Sequence, residues 1–127
     1  MINITLPWPP TVNTYYRSIW RKNTTHPVVL LSAKGRQYKE DATAAMVLQD
    51  IPQNLGGRIE VLIEVYPPDR RRRDLDNLLK PILDVLEDYG VFYDDEQIDI
   101  IHVRRRTKGG RVEVFVSEIP DSERLDT

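Results

Sequence analysis

Two aspartates, Asp74 and Asp76, stand two residues apart directly after four consecutive arginines, Arg70 to Arg73. On a strand or extended turn, residues two apart point to the same side. Their carboxylates can then converge on one hard cation, which takes oxygen ligands. The plainer reading is that one carboxylate caps the helix that follows and the other is solvated. Lys80 comes one turn after Asp76, where an i,i+4 ion pair is the default. The active alternative is a cation at a phosphoryl group, stabilising negative charge as it develops. A run of four arginines usually makes a solvated face, but positive charge recurs at Arg104, Arg105, Arg106, Lys108 and Arg111. If the fold sets these beside Arg70 to Arg73, the result is a basic surface bordering an acidic pocket. Phosphate contacts from such a surface dominate nucleic-acid affinity and make it salt-sensitive.

A second acidic group, Asp94-Asp95-Glu96, lies just beyond the helix that starts near Asp76. That helix spans about 20 Å at 1.5 Å per residue, so closeness in sequence does not bring the two groups together. Either the chain returns along the helix after Gly90 or a second subunit supplies the partner. Taken alone, the group reads as an acidic loop before a strand. Other plans are poorly supplied. The chain has no cysteine and two histidines, His26 and His102. That removes disulfides, thiolate zinc sites, a thiol nucleophile and a histidine cage. There is no Gly-rich phosphate loop and no G-x-S-x-G, so no nucleotide cofactor is expected.

The elements that must position these residues follow from periodicity. Ile2 to Leu6 alternates like a strand and is stopped by Pro7-Trp8-Pro9-Pro10. Thr11 to Pro27 reads as irregular and carries Asn13, Tyr15, Tyr16, Arg17, Trp20, Arg21 and Lys22. Interleaved aromatic and basic residues suit nucleic acid; equally, the aromatics can simply pin the loop. Val28 to Leu31 is a short apolar run. Ser32 is a good N-cap for a helix to about Asp50, with Tyr38, Ala42, Ala45 and Met46 facing the core. Arg58 to Tyr66 is the clearest strand, with Ile59, Val61, Ile63 and Val65 on one face. The second helix presents Leu75, Leu78, Leu79, Ile82, Leu86 and Tyr89, with Asp74 or Asp76 as its cap and Gly90 at its end. Pro81 suits only an early turn, which starts the regular helix at about Asp76 to Leu78. Ile98 to Arg106 and Arg111 to Ile119 read as strands joined in a hairpin by Thr107-Lys-Gly-Gly110. From Pro120 onward the chain is polar and expected to fray.

The order β-α-β-α-β-β predicts one α+β domain over residues 1–127, with a mixed sheet and two main helices packed on it. Its 127 residues, 40% hydrophobic and 30% charged, suit a single globular domain. No apolar run approaches the ~18 residues of a membrane span, and the N-terminus does not read as a signal peptide, so a cytoplasmic protein is expected. A formal net charge of −2 means that any nucleic-acid binding must come from local clustering.

Several motifs together resemble the RusA-type Holliday junction resolvases of bacteria and their prophages. They are Leu6-Pro-Trp-Pro-Pro10 with Asn13 and Tyr15-Tyr-Arg17; Pro68-Asp-Arg-Arg-Arg-Arg-Asp-Leu-Asp-Asn-Leu78 with Lys80; Asp94-Asp95; and Thr107-Lys-Gly-Gly-Arg111. They cover essentially the whole chain. The resemblance implies a homodimeric endonuclease that uses Mg²⁺, with Mn²⁺ as a substitute, to nick four-way junction DNA. By motif position it implies Asp74, Asp76 and Asp95 as metal ligands, Lys80 as catalytic lysine and Arg73 beside the site. Arg70 to Arg73, Lys108, Arg111 and Arg17 are then the DNA contacts. Pro81, directly after the lysine, departs from the family pattern. The competing readings are a metal-dependent nuclease for other branched DNA, and a junction-binding protein without cleavage activity.

Overall fold

The computed structural model describes residues 1–124. In chain order the elements are β1 (Ile2–Pro7), α1 (Val12–Tyr15), β2 (Tyr16–Ile19), β3 (Val28–Leu31), α2 (Ala33–Leu48), β4 (Ile59–Tyr66), α3 (Asp76–Tyr89), β5 (Ile98–Arg105) and β6 (Arg111–Glu118). Short 3-10 turns at Asp95–Gln97 and Asp121–Glu123 flank the last two strands. The predicted α+β class and the two main helices are present. Between β1 and α2 the chain adds a one-turn helix and a small antiparallel β2–β3 pair, within and after the stretch read as irregular.

The main sheet has the order β1-β6-β4-β5. β6 runs antiparallel to both β1 and β4, whereas β5 runs parallel to β4. The expected hairpin between the last two strands therefore does not form, because β4 lies between them. Turn chemistry at Gly109-Gly110 is real, but the loop is spent on bridging over the end of β4. Gly110 N–H donates to the Tyr66 carbonyl at 2.7 Å and Gly109 N–H to the Pro67 carbonyl at 2.9 Å. The parallel pairing needs a long crossover, and α3 supplies it.

Alternation along β4 explains its central place. Ile59, Val61, Ile63 and Val65 are fully buried, while Glu60, Leu62, Glu64 and Tyr66 remain half-covered on the other face. Ile4 and Leu6, with Val112, Val114 and Val116, continue the buried face across the sheet. Tyr38, Ala42 and Met46 from α2 and Leu78, Ile82, Val85 and Leu86 from α3 close over it. Each such aliphatic side chain contributes roughly 1.5–3 kcal/mol on burial. Ala45, expected in the core, is only half-buried.

Ser32 caps α2 as predicted, its Oγ accepting from Gly35 N–H at 2.9 Å. Gly35 is required by close approach: a Cβ there would stand 2.2 Å from the Tyr15 carbonyl oxygen. The Tyr15 hydroxyl in turn donates to Asp84 of α3, so α1, α2 and α3 are fastened at one point. Tyr15 is fully buried and packs edge-on to Tyr16, with ring centroids 4.8 Å apart. The pinned-loop reading thus holds for these two tyrosines, whereas Trp20 is 70% exposed. At the other terminus Arg124 folds back, its Nε donating to the Ile119 carbonyl at 3.0 Å. Of the tail expected to fray, Pro120 to Arg124 includes an ordered turn, and 125–127 lie outside the described residues.

Candidate metal and nucleic-acid site

β4 ends at Pro67-Pro68, since proline cannot donate to the ladder, and the chain leaves the sheet into the arginine run. Parallel pairing sets Val65 beside Arg105, so the C-terminal ends of β4 and β5 share one edge of the molecule. An open cleft forms there. It is lined by Asp69 to Asp76 from one side and Arg105, Arg106, Thr107 and Lys108 from the other, with Trp8 at its wall. Arg105, Arg106 and Lys108 thereby neighbour the arginine run, so the condition posed by the charge pattern is met for these three, through a parallel strand pair rather than a hairpin.

Asp69 organises this loop. Its Oδ1 accepts from Arg71 N–H at 2.9 Å, a local turn that aspartate favours, and meets Arg73 Nη1 at 2.8 Å. Its Oδ2 meets Arg71 Nη2 at 3.1 Å. The Arg73 guanidinium and then the Arg71 amide hold the Asp69 carboxyl far below the usual aspartate range. Arg73 is the inward arginine, its side chain 15% exposed and its guanidinium 5.5 Å from the Trp8 ring centroid. Arg105 fastens the loop from β5, its Nη2 donating to the Arg73 carbonyl at 2.5 Å. Arg70 and Arg72 are exposed and in no ion pair among the described residues.

The helix cap predicted at Asp74 or Asp76 is absent. The N-cap residue of α3 is Leu75, with no side-chain cap bond, and Asp74 contributes only its carbonyl, which accepts from Asn77 N–H at 3.2 Å. Asp76 is the first residue of the helix. Both aspartates are exposed, and among the described residues neither carboxylate is in a hydrogen bond or an ion pair. That is unusual beside so many arginines. Arg71 and Arg73 are held by Asp69, and Arg105 by the Arg73 carbonyl, while Arg70 and Arg72 stay exposed. The predicted Asp76–Lys80 pair is likewise not among the ion pairs of the described residues, and Lys80 is exposed one turn into α3. Pro81, the sixth residue of α3, is buried in an unbroken helix.

Asp95 stands elsewhere. It opens the 3-10 turn before β5, at the end where Ile98 pairs with Ile59. The full length of β5 and of α3, about 20 Å, separates it from Asp74 and Asp76 of the same chain. The chain after Gly90 does not return along the helix. Within its turn, Asp94 is committed locally, its carboxylate accepting from Glu96 N–H at 2.9 Å. Asp95 donates its own N–H to Glu87 at 3.0 Å, and its carboxylate has no such bond among the described residues. Carboxylate oxygens of Glu87, Asp94 and Asp95 lie within 4.8 Å of one another. Arg58 steadies the turn, donating from Nε to Asp99 at 2.9 Å and from Nη1 to Glu96 at 3.1 Å.

The remaining basic residues lie on the periphery. Lys108 lines the cleft. Arg111 stacks its guanidinium 3.9 Å from the Tyr66 ring centroid and lies 3.7 Å from Glu113. Arg17 is exposed on β2. Asp69 and Trp8 stand in the motifs that carry the resemblance but have no role of their own in the sequence reading, and Glu87 is not singled out there. Asp69 had a readable signal, an aspartate two residues before one arginine and four before another; Trp8 and Glu87 gain their places only from tertiary folding.

Residues 7–117 match the profile of the family described as endodeoxyribonuclease RusA. A protein of Shigella sonnei named crossover junction endodeoxyribonuclease RusA is 40% identical over 119 residues, 92% of this chain and 94% of that protein. Proteins of the same name from Escherichia coli K12 and Enterobacteria phage 82 are each 39% identical over the same shares. Among the described residues no helix is long and apolar enough to cross a membrane. With the profile spanning nearly the whole fold and the relatives aligned almost end to end, the chain belongs to the RusA endodeoxyribonuclease family.

Proposed function

We propose that this protein resolves four-way DNA junctions in the bacterial cytoplasm, acting as a homodimer that makes paired symmetric nicks with Mg²⁺. The observation that carries the reading is the pair of uncommitted carboxylates, Asp74 and Asp76, in a cleft where Arg71, Arg73 and Arg105 are fastened by other partners and Arg70 and Arg72 stand exposed. The names of the relatives, crossover junction endodeoxyribonucleases, support a junction as substrate. Asp74, Asp76 and Asp95 would hold the metal. They offer only hard oxygen donors, which fit Mg²⁺ or Mn²⁺ and not a thiolate or imidazole site. Such a cation, when bound, supplies an activated water and neutralises charge on the phosphate.

The chain's own residues do the rest. Arg70 and Arg72 meet the DNA backbone, and Lys108, Arg111 and Arg17 extend that surface. Arg73 and Lys80 lend positive charge near the scissile phosphate, where it stabilises the transition state more than the ground state. A four-way junction is nearly two-fold symmetric and must be cut in two strands, which a C2 dimer with two equivalent sites can match. Asp76→Asn tests the assignment. The variant should bind junction DNA with wild-type affinity and lose at least a hundredfold in cleavage with Mg²⁺. Cleavage at the wild-type rate would remove Asp76 from the metal site.

A further inference from the structure

β2, β3 and the loop between them form a two-stranded arm apart from the main sheet. We infer that this arm reads the branch point of the junction. Trp20, at its outer end, stacks on a base left unstacked where strands exchange, and Arg17, Arg21 and Lys22 hold the phosphates beside it. This deepens the junction-substrate reading above and rests on it.

The arm is fixed at its root and shaped at its end. Ser32 N–H donates to the Tyr15 carbonyl at 2.9 Å, which closes the two strands at their base. The Tyr15 hydroxyl donates to Asp84 of α3. Asp84 lies about 12 Å along α3 from Asp76 at 1.5 Å per residue, a span of roughly three or four nucleotides of one strand. The chain reaches the arm from Trp8 at the cleft wall, through α1. At the outer end Thr24 N–H donates to the Arg21 carbonyl at 3.3 Å, and Thr24 Oγ1 to the same carbonyl at 2.7 Å. Asn23 within this turn has a φ of 69°, the left-handed value that asparagine accepts at such a position. The turn carries Arg21 and Lys22, with Trp20 directly before it, and all three are exposed.

Charge points to the ligand class. Residues 1–39 contain Arg17, Arg21, Lys22, Lys34, Arg36 and Lys39 and no aspartate or glutamate; all 20 acidic residues follow from Glu40 onward. Lys39 pairs with Asp84 and Asp88 of α3, whereas Arg17, Arg21 and Lys22 are in no ion pair among the described residues. The arm therefore presents uncompensated positive charge, which suits a polyanion. Trp20 narrows the choice further. Tyr15 and Tyr16 pack together at the root, so pinning the loop accounts for them and leaves the indole, exposed at the end, without a structural task. An aromatic face is a platform for a nucleobase. In a linear duplex each base face is covered by its neighbours, and wedging between them costs unstacking. At a branch the stack is already interrupted, so that cost falls. Phosphate contacts alone would hold junction and duplex alike; the indole supplies the preference for the branch.

Binding in EDTA tests this on the full chain, with a four-way junction and a linear duplex of the same sequence as probes. Trp20→Ala should weaken junction binding roughly tenfold or more, leave duplex binding unchanged and keep the wild-type salt slope. Trp20→Phe, which keeps a ring, should restore most of the loss. Replacing Arg21 and Lys22 together by alanine should weaken both probes and lower the salt slope by about 2. The thermal midpoint of Trp20→Ala should match wild type, because the side chain is exposed. A lowered midpoint would make Trp20 a prop of the hairpin and overturn the assignment. Equal losses on junction and duplex, or no loss on either, would overturn it as well. No cleavage is needed, so the two readings fail separately. A junction preference that survives Trp20→Ala overturns the arm and leaves the cleft reading untouched. A protein whose junction preference depends on Trp20 but which cuts nothing in Mg²⁺ overturns the cleft reading and leaves the arm standing.

Discussion

Asp69 decides what the arginine run can do. By taking Arg71 and Arg73 it keeps them off Asp74 and Asp76 and holds the loop in one shape. Its folded pKa is lowered, chiefly by Arg73. A lowered carboxyl stabilises the fold above its ordinary value and loses that contribution as pH falls toward the folded value. The stability gap between wild type and Asp69→Asn should therefore be present at pH 7 and shrink below pH 3.8, the ordinary aspartate value; denaturant midpoints at the two pH values measure it. The gap itself should be small, since exposed ion pairs contribute little. A gap that grows in acid would show that Asp69 is not held by its arginines. The arginines separate by the same logic. Arg72 is exposed and Arg73 inward. Arg72→Ala should lower the salt slope of junction binding by about 1 with stability unchanged. Arg73→Ala should also lower the thermal midpoint, because it frees the loop. Equal behaviour of the two variants would contradict the loop geometry. These residue types and spacings were legible in the sequence. That both aspartates stay out of capping and ion pairs was not, since it depends on where Asp69 and Arg105 fold.

At the scale of elements, α3 carries the start of the site, and α1 and α2 fix α3. Gly35 lets the first turn of α2 approach the Tyr15 carbonyl, and Tyr15 holds Asp84. Gly35→Ala should destabilise the fold by about 1–3 kcal/mol, the range for overpacking, read from denaturant midpoints. Wild-type stability would mean that α1 yields freely. Periodicity located α2, β4 and α3 to within a few residues because each buries one clear face. It failed at the end of the chain. Two strands around a Gly-Gly turn suit a hairpin locally, but β4 pairs with both, and only the whole sheet shows that. The β2–β3 pair escaped because four-residue strands carry too little alternation to stand out.

At the scale of the molecule, a net charge of −2 conceals a basic end and an acidic end at opposite termini of β5. Within one chain that polarity leaves Asp95 at the opposite end of β5 from the cleft that holds Asp74 and Asp76. Family motifs in the sequence pointed to Asp74, Asp76 and Asp95 together. Only the strand directions show that a single chain keeps Asp95 apart from the other two. The most direct test of the proposed activity is cleavage of end-labelled four-way junction, fork and linear duplex, with and without Mg²⁺. Paired nicks at symmetric positions on the junction, dependent on Mg²⁺ and absent from linear duplex, are the predicted result. Equal cutting of all three substrates, or junction binding with no cleavage in Mg²⁺ or Mn²⁺, would contradict it.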